Sequence, residues 1–451
     1  MSGGSALPGG RPGRGILRAA AGILAAILTS CGENSPLGPD QPREAERGRG
    51  AAAADRRASP PPGAVPGQVV RVGLDVLDAE GALGLQGKKV GLVVHAASVT
   101  QDGRGAIDVL RRHGVQLVRL FSPEHGLAGR LAAGKEVAAS RDEPSGLPIV
   151  SLYGEKTKPT PADLEGLQAL VFDLQDAGVR FYTYLGTLLL CLEAAGEAGI
   201  ELVVLDRPNP LGGERVEGPT SESRDALPES LVNKAPGPLV HGLTVGEMAT
   251  LVNGRLEKPA RLTVVAMNGW TRAMTWADTG RAWVAPSPNL RSAEAALAYP
   301  GVCLLEATNV SEGRGTPEPF LLLGAPWTKP AEIVAAVQAP GFEMEPATFT
   351  PTASEAAPDP KHRDQACTGV RVKVTDAAAA RPYELGITLL GALKKLHPEF
   401  AWRREGALDS LLGTRRVRKD LERGASAATI VQADAKAIEA WRRDRAAALL
   451  Y

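Results

Sequence analysis

The sequence predicts an α/β fold built on a largely parallel sheet, and two observations lead to this fold class. Short apolar runs typical of buried strands recur along the chain, at 89–94, 115–121, 169–174 and 201–205. Helical stretches lie between such runs, for example at 106–113 and 185–198, the second closed by Gly199. Strands that alternate with helices at this spacing form a parallel sheet whose two faces are both covered.

The composition fits this fold class and argues against some kinds of partner. The 451 residues carry 51 acidic and 51 basic side chains, so no bulk charge attracts nucleic acid or an anionic surface. The chain is 44% hydrophobic and can bury a sizeable core. Aromatic residues make up only 4% of it, whereas glycine and proline are plentiful at 51 and 35. This is the composition of an Ala/Val/Leu-packed protein with many turns, and no nucleic-acid partner is expected.

Residues 1–30 are predicted to be a targeting segment and not part of the fold. The segment has a basic start and then an apolar core at 19–28 that is too short to span a bilayer. It ends in Leu28-Thr29-Ser30-Cys31, which resembles the lipobox of bacterial lipoproteins, so Cys31 is expected to carry lipid. A plain secretory signal is the alternative. Gly32 does not resemble the Asp of inner-membrane retention, which predicts an exported, periplasmic-side or outer-membrane lipoprotein.

Three further regions follow the signal. Residues 31–67 are rich in Pro, Gly, Ala, Arg and Glu without a hydrophobic period, which predicts a disordered tether. A first globular domain is predicted at 68–285 and a smaller α+β domain at 286–451, because the texture of the chain changes across 270–283. The cysteines after Cys31 lack CxxC spacing, which argues against zinc and against a full disulfide framework. One bridge among them is left open (Cys191, Cys303, Cys367).

The first candidate site loop is the segment 121–129, Phe-Ser-Pro-Glu-His-Gly-Leu-Ala-Gly, which directly follows the apolar run at 115–121. Pro123 cannot donate to a sheet ladder and should end the strand. Glu124 and His125, two groups able to move protons, then lie at the carboxyl end of a strand, where open α/β sheets place their ligands. The alternative is a surface loop whose two side chains are merely solvated.

The second candidate loop is the segment 172–184. Its polar and aromatic side chains crowd a strand-to-helix crossing: Asp173, Gln175, Asp176, Arg180, Tyr182 and Tyr184. Aromatic faces and Asp or Arg groups are what a sugar ring needs for stacking and for recognition of its hydroxyls. The alternative is a structural helix start, with Asp176 as N-cap and Arg180 one turn later.

A third loop, 204–213, holds Asp206, Arg207 and Asn209 between two prolines and two glycines, which make it rigid. A structural pair between Asp206 and Arg207 is the alternative interpretation. Further along, His241 precedes a predicted capping box, and this histidine is a candidate to face the cleft.

The smaller domain adds a set of candidate binding residues. Asn289 lies in a rigid loop at 286–290, and Asn309, Glu312 and Arg314 lie in the segment 306–316, which is a candidate wall facing the first domain. No G-x-G-x-x-G follows a strand, which argues against a dinucleotide, and the 6 histidines show no metal-binding spacing. No cofactor and no metal are therefore expected.

Taken together, these loops resemble the signature segments of the bacterial exo-β-N-acetylmuramidase family, formerly a family of unknown function. The matching segments follow in the same order: 121–129, 172–184, 205–213, 241–247, 286–289 and 306–326. The resemblance covers roughly 69–451. One departure is that His95-Ala96 stands where the family usually has Asn-Gln.

The resemblance implies a Rossmann-like domain followed by a smaller domain, with the active site in the cleft between them. It also implies release of N-acetylmuramic acid from the non-reducing end of peptidoglycan fragments, either muropeptides or saccharides that alternate muramic acid with N-acetylglucosamine. The glutamate of the family's Pro-Glu-His-Gly motif is its proposed catalytic residue, and in this sequence it is Glu124.

Cleavage of a glycosidic bond needs an acid and a second group that activates water or stabilises the sugar cation. We expect Glu124 to be the acid, kept protonated by burial, and His125 to orient it or to donate to the sugar. The second group is Asp173, Asp176 or Glu312, unless the 2-acetamido group of the substrate assists. The lactyl carboxylate of muramic acid calls for an arginine, with three candidates: Arg180, Arg207 and Arg314.

Two other functions are considered. A non-catalytic muropeptide-binding lipoprotein would have kept the cleft and lost turnover, which the His95-Ala96 departure motivates. An esterase or amidase on the same fold is disfavoured, because no G-x-S-x-G motif is present and no cysteine after residue 31 has a neighbouring histidine.

Overall fold

The computed structural model describes residues 69–135, 140–222, 227 and 230–451. The predicted targeting segment with Cys31 and the predicted tether lie outside the described residues. Within the described residues, no helix has the length and apolar character needed to cross a membrane. These residues all fall in a single compact unit, and the predicted division at residue 285 stays a prediction.

Twelve strands occur in the described part of the chain. They are β1 Lys89–Val94, β2 Gln116–Ser122, β3 Ser140–Arg141, β4 Pro148–Ser151, β5 Ala169–Asp173, β6 Glu201–Leu205, β7 Glu217–Thr220, β8 Pro238–Val240, β9 Arg261–Val265, β10 Leu322–Ala325, β11 Phe342–Phe349 and β12 Cys367–Val374. The same part of the chain forms twelve α-helices. They are α1 Gly73–Glu80, α2 Ala106–Arg112, α3 Pro161–Leu164, α4 Thr183–Ala198, α5 Val245–Asn253, α6 Ala293–Val302, α7 Pro330–Ala336, α8 Pro382–Leu396, α9 Ala407–Leu412, α10 Arg416–Glu422, α11 Ala427–Gln432 and α12 Ala435–Asp444.

The larger sheet has seven strands in the order β3-β4-β2-β1-β5-β6-β9. Every pair in it is parallel except the antiparallel pair of β3 with β4. From β1 the chain builds outward through β2 and β4, then crosses back to β5 on the other side of β1. Ligands of open α/β sheets bind outside the carboxyl ends of the strands at such a reversal. The reversal therefore marks the ends of β2, β1 and β5, and the predicted mostly parallel α/β sheet is confirmed.

Helices cover both faces of this sheet, which explains why its strands are apolar on both sides. One face packs Val90 and Leu92 of β1 against Leu110 of α2. The next position, Val93, belongs to the opposite face, where the core includes Leu188 of α4. Because successive side chains of a strand point to opposite faces, a continuous apolar run is needed to bury both faces.

The helix starts near the site follow the predicted local chemistry. Thr244 caps α5: its hydroxyl accepts from the Glu247 N–H, and the Glu247 carboxylate accepts from the Thr244 N–H. The predicted capping box is thereby confirmed. Gly199 closes α4 in the left-handed conformation, at φ 66°.

The smaller region contains an antiparallel sheet in the order β10-β12-β11, against which α6 and α7 pack, and α8 packs against both of these helices. This confirms the predicted smaller α+β part. Helices α6 and α8 cross closely at Gly301 and Gly386. A Cβ on Gly301 would lie 2.2 Å from the Pro382 carbonyl oxygen, and one on Gly386 would lie 2.6 Å from Gly301 Cα. The three cysteines of the described chain are buried and free, so the disulfide left open by the sequence does not form.

Candidate active site

The loop after β2 places Glu124 at the carboxyl edge of the sheet, where ligands of open α/β sheets bind. The strand ends at Ser122, as the proline that follows it predicts. His125 has φ 71° and Gly126 has φ 76°, so the chain turns sharply directly after Glu124. The turn is stabilised by His125, whose Nδ1 lies 2.8 Å from the Leu131 carbonyl oxygen. The Glu124 side chain is 7% exposed, which excludes the merely solvated surface loop.

Both carboxylate oxygens of Glu124 are held by other segments. The Gly134 N–H donates to Oε1 at 2.8 Å, and the hydroxyl of Thr183, the first residue of α4, donates to Oε2 at 2.8 Å. Tyr153, which follows β4, is a further neighbour of Glu124. Burial, together with the charge of Glu124 and a hydrogen bond to it, raises the pKa of the Tyr153 phenol. Our sequence interpretation missed Thr183 and Tyr153. Tyr153 follows a short strand that pairs with β2, so the rule that found Glu124 also applies to it.

His125, in the loop after β2, is influenced by charged side chains from two segments of the chain. Its side chain is buried, and burial is the largest cause that holds the pKa of His125 below its usual value. The nearby Glu124 raises this pKa and Arg314 lowers it. Arg314, from the segment before β10, therefore lies close enough to His125 for its charge to act on the imidazole.

Tyr184 connects three of the predicted segments. Its hydroxyl donates to the Pro286 carbonyl oxygen at 2.8 Å and lies 3.3 Å from the Glu124 carbonyl oxygen. Its ring lies 5.2 Å from that of His95 and 4.7 Å from that of Tyr182. The segments after β1, β2 and β5 thus converge on one aromatic centre.

His95, the position of the departure from the family pattern, is part of this centre. Its Nε2 lies 3.0 Å from the backbone N of Gln175. Burial, followed by repulsion from Arg207, holds the pKa of His95 well below its usual value, so the ring is neutral. The Gln175 side chain donates to the carbonyl oxygens of Asp176 and Pro208, both at 2.9 Å, and so braces the same loop.

Asp176 and His241 face each other with hydrogen-bonding capacity unused. Asp176 Oδ2 accepts from the Gly178 N–H at 2.6 Å and lies 3.8 Å from His241 Nε2. His241 Nδ1 accepts from the Leu243 N–H at 3.1 Å, so in the neutral ring the proton sits on Nε2. Among the described residues, neither Asp176 Oδ1 nor His241 Nε2 has a hydrogen-bond partner. Buried polar atoms are normally paired, so these two atoms mark a place for a ligand.

Asn289 shows the same feature on the next segment. Its Nδ2 donates to the Ala356 carbonyl oxygen at 2.8 Å, whereas its buried Oδ1 has no partner in the described chain. Tyr182 lies between this loop and Asp176: burial raises the pKa of its phenol, and Tyr184 and Asp176 are among the charges that act on it.

Asp173 and Arg207 form a buried ion pair. Arg207 Nε lies 2.6 Å from one carboxylate oxygen of Asp173 and Nη2 lies 2.9 Å from the other. The two side chains are 0% and 3% exposed. The alternative ion pair between the Arg207 and Asp206 side chains does not form. Asp206 accepts from the backbone N–H of Arg207 and not from its guanidinium. The adjacency of β5 and β6 places Asp173 within reach instead.

Asp206 and Asn209 are fully engaged by the protein. Asp206 accepts from the Thr244 hydroxyl at 2.7 Å, the Gly246 N–H at 2.8 Å and the Tyr451 hydroxyl at 2.8 Å. Burial raises its pKa to about 6. Asn209 donates to the Leu243 carbonyl oxygen and accepts from the Leu211 N–H, both at 2.9 Å.

Arg180 and Asn309 also contact backbone. The Arg180 side chain is fully buried and donates to the carbonyl oxygens of Leu412 at 2.6 Å and Pro219 at 3.4 Å. Asn309 donates to the Glu399 carbonyl oxygen at 2.7 Å and accepts from the Ala401 N–H at 2.9 Å. The geometry gives both residues a packing role, and their predicted contacts with substrate stay predictions.

Glu312 and Arg314 form a charged network with Lys361, a residue that our sequence interpretation did not single out. Lys361 Nζ lies 2.9 Å from one Glu312 oxygen, and Arg314 Nε lies 3.3 Å from the other. Burial opposes ionisation of Glu312, but Lys361 and Arg314 outweigh it and lower the pKa of the carboxyl. Arg314 also pairs with Glu306 and stacks on Phe320, with its guanidinium carbon 5.0 Å from the ring centre. Nothing in the described chain groups three His, Cys, Asp or Glu side chains for a metal ion.

Comparisons with known proteins agree with this architecture. The profile described as exo-beta-N-acetylmuramidase NamZ, N-terminal, matches residues 90–294, and its C-terminal counterpart matches residues 297–451. The chain is 40% identical over 387 residues to the peptidoglycan beta-N-acetylmuramidase NamZ of Bacillus subtilis (strain 168). That alignment covers 85% of this chain and 91% of the relative.

Two solved structures share the fold. Both are DUF1343 family proteins from Bacteroides fragilis NCTC 9343, with TM-scores of 0.76 and 0.68 and identities of 31% and 29%. Each match covers 85% of this chain and 99% of the other. Both family profiles and the high coverage of the relative lead to one conclusion: the chain belongs to the exo-β-N-acetylmuramidase family and is a glycosidase.

Proposed function

We propose that this enzyme releases N-acetylmuramic acid from the non-reducing end of peptidoglycan fragments during cell-wall turnover, with Glu124 as its general acid. The name of the Bacillus relative supports the substrate. The observation that carries the role of Glu124 is its buried position at the carboxyl edge of the sheet, with one oxygen on the Thr183 hydroxyl.

The contacts of Glu124 suit a group that gives up a proton. The Gly134 N–H can only donate, so it keeps Oε1 an acceptor in both states of the carboxyl. The Thr183 hydroxyl can accept or donate, so Oε2 can carry the proton before the reaction and receive a hydrogen bond after it. Both donors then stabilise the carboxylate that forms as the proton passes to the leaving oxygen.

For the second catalytic group we favour Asp176. Of the three carboxylates that the sequence left open, Asp173 is paired with Arg207, and Glu312 is paired with Lys361 and Arg314. Among the described residues, buried Asp176 Oδ1 has neither a hydrogen bond nor an ion pair, whereas Glu312 Oε2, which also lacks a hydrogen bond, lies 2.9 Å from the Lys361 ammonium. Asp176 Oδ1 can accept a proton from attacking water, or a hydrogen bond from the acetamido N–H if the acetamido oxygen is the nucleophile. His241 Nε2 lies 3.8 Å from the other oxygen, Oδ2, which is too far for a hydrogen bond and leaves its N–H available to the substrate.

For the lactyl carboxylate of the substrate we favour Arg314. Arg180 and Arg207 are 0% and 3% exposed and bind other groups of the protein. The Arg314 side chain is 19% exposed and lies close to His125. A guanidinium can bind two carboxylates through different N–H groups, so its contacts with Glu306 and Glu312 leave room for a third partner.

The experiment measures product release from a chromogenic N-acetyl-β-muramide, with the matching N-acetylglucosaminide as substrate control. We expect Glu124→Gln to lower kcat/KM at least about 10³-fold, because the variant has no proton to give. Glu155→Gln, the same change at an exposed position, should retain full activity. Circular dichroism should show the same fold in all three proteins.

Other outcomes would replace the proposal. Release that survives Glu124→Gln would assign the acid to another carboxylate. Binding of muropeptides without release by the wild-type protein would favour the non-catalytic binding lipoprotein, the second candidate, which the His95-Ala96 departure motivates. Equal release from both substrates would contradict the muramic-acid specificity.

We also propose that the enzyme is exported and anchored to a membrane by lipid on Cys31. The support is the sequence alone: a basic start, a short apolar core and the Leu-Thr-Ser-Cys motif. Metabolic labelling with a radioactive fatty acid tests this. Label should be incorporated into the wild-type chain and be absent from Cys31→Ser, and equal labelling of both would contradict the anchor.

A further inference from the structure

A cavity separate from the Glu124 crevice lies where α12 meets the loop after β6. Its volume is about 460 Å³, which is within the range of small-molecule sites. Its lining includes Leu211 and Gly212 of the third candidate loop, but none of the side chains that the proposed reaction uses. Five of its side chains are arginines: Arg215, Arg272, Arg381, Arg442 and Arg445.

Positive charge in this cavity exceeds negative charge. Two carboxylates line it, Glu214 and Glu217. Arg272 is neutralised from outside the cavity by Glu247, at 2.6 Å. Among the described residues, Arg381, Arg442 and Arg445 have no carboxylate within ion-pair distance. Five guanidinium groups against three carboxylates leave an excess of positive charge.

Arg445 shows what this excess does at the inner end of the cavity. Its side chain is buried, and Nη1 donates to the carbonyl oxygens of Gly213 at 3.0 Å, His241 at 3.2 Å and Gly242. Carbonyl oxygens satisfy an N–H without supplying a formal negative charge, and Glu247, which also pairs with Arg272, is the carboxylate that acts on Arg445. Burial, followed by repulsion from Arg272, lowers the pKa of Arg445 to about 10. The fold therefore holds like charges together, an arrangement that an anion would stabilise.

Glu217 provides a second feature that points to a ligand. Its Oε2 accepts from the Tyr383 N–H at 3.0 Å, whereas its buried Oε1 has no hydrogen-bond partner in the described chain. Arg215 Nε lies 3.7 Å from that oxygen, and Arg381 and Glu384 are the other charges that act on the carboxyl. Burial raises the pKa of Glu217 to about 7, so near neutral pH a large fraction is protonated and can donate a hydrogen bond.

We propose that this cavity is a binding site for a small oxyanion ligand, which bears phosphate or carboxylate groups and lies between Arg381, Arg442 and Arg445. The planar guanidinium fork matches both kinds of oxyanion and binds them through pairs of N–H groups. The proposal does not rest on the muramidase reaction, since no side chain that lines the cavity has a role in that reaction.

Isothermal titration calorimetry with two probes, sodium pyrophosphate and citrate, tests the site at constant ionic strength. We expect saturable binding of at least one probe with one site per chain. The double variant Arg381→Gln/Arg442→Gln should weaken this binding at least about tenfold, because each lost contact to an oxyanion is charge-assisted. Tighter pyrophosphate binding would indicate a phosphate ligand, and tighter citrate binding a carboxylate ligand.

The matched control is Arg404→Gln/Arg443→Gln, which removes the same charge from exposed positions outside the cavity. It should bind the probe as the wild type does. The proposal is overturned if neither probe shows saturable binding to the wild-type protein, if the cavity variant binds as the wild type does, or if both double variants weaken binding equally.

Discussion

The loops after β5 and β6 lie side by side at the carboxyl edge of the sheet, and their acidic side chains are held in different ways. Asp206, after β6, accepts hydrogen bonds from four donors of the protein. Asp176, after β5, accepts one from Gly178 and keeps a buried oxygen without a partner in the described chain. Both strand ends are dense in polar residues, so this density alone does not distinguish a carboxylate that supports the fold from one that is available for catalysis. Between these two carboxylates, the difference is the buried oxygen that has no partner among the described residues.

The largest effect is expected from the fully paired loop. Asp206→Ala would leave the Gly246 N–H and the hydroxyls of Thr244 and Tyr451 buried without an acceptor. At about 1–3 kcal/mol for each unsatisfied group, with partial relaxation, we expect a loss of about 4 kcal/mol in the free energy of unfolding. Urea unfolding measures it, and exposed Asp108→Ala, the control, should change it by less than about 0.5 kcal/mol.

The neighbouring loop should respond in the opposite way. Asp176→Asn can keep the hydrogen bond from Gly178 but cannot take a proton, so we expect kcat/KM to fall about 100-fold, equivalent to about 2.7 kcal/mol. The free energy of unfolding should change by less than about 1 kcal/mol. If Asp176→Asn were active but unstable, and Asp206→Ala folded but inactive, the comparison would be reversed.

Glu217 applies the same criterion away from the crevice, because its Oε1 is also buried and unpaired among the described residues. Its folded pKa of about 7 lies above the ordinary 4.5, so the native state binds more protons than the unfolded chain between these values. Wild-type stability should therefore fall as pH rises from about 4.5 to about 7.

Glu217→Gln removes this titration, and at pH 8 the variant should be more stable than the wild type by about 2 kcal/mol. At pH 4 the two proteins should be equally stable. Urea unfolding at the two pH values, in a buffer free of oxyanions, measures the difference. Equal stability of the wild type and the variant at pH 8 would show that the ionised Glu217 Oε1 has a hydrogen-bond or ion-pair partner in solution.

The smallest effect is expected at Tyr153, beside Glu124. Burial and the Glu124 carboxylate raise the pKa of this phenol, so it stays protonated and available as a donor. Tyr153→Phe should lower kcat/KM about tenfold, or about 1.4 kcal/mol, and leave the melting temperature within a few degrees. Unchanged kcat/KM on the chromogenic muramide would remove Tyr153 from the site.

Four strands of the central sheet, β1, β2, β5 and β6, were predictable because each is a short apolar run with local stop signals. The runs at 89–94 and 201–205 coincide with β1 and β6. Strand β11 escaped prediction, since its half-exposed pattern contains Pro346 and its pairing with β12 spans a polar, proline-rich segment. Local patterns suffice for strands buried on two faces, whereas strands with an exposed face depend on pairing.

The site was predictable to the level of its loops but not of its pairs. Glu124 was placed at a strand end by its proline and glycine neighbours. The pairing of Asp173 with Arg207 depends on β5 and β6 being adjacent in the sheet. Lys361, which neutralises Glu312, comes from a polar, proline-rich insertion that gives no local signal. Contacts between segments that are distant in sequence therefore determine which charged side chains form ion pairs within the protein.

The contact of Arg180 with the Leu412 carbonyl oxygen also concerns time. The two residues are 232 positions apart, and at roughly 5–20 residues per second the ribosome adds that length in roughly 10 to 50 seconds. Until α9 arrives, the guanidinium beside the β5 loop lacks its 2.6 Å acceptor and keeps its charge hydrated. The crevice edge of the sheet is therefore expected to reach its final order late in folding, after the helices of the smaller region have been made.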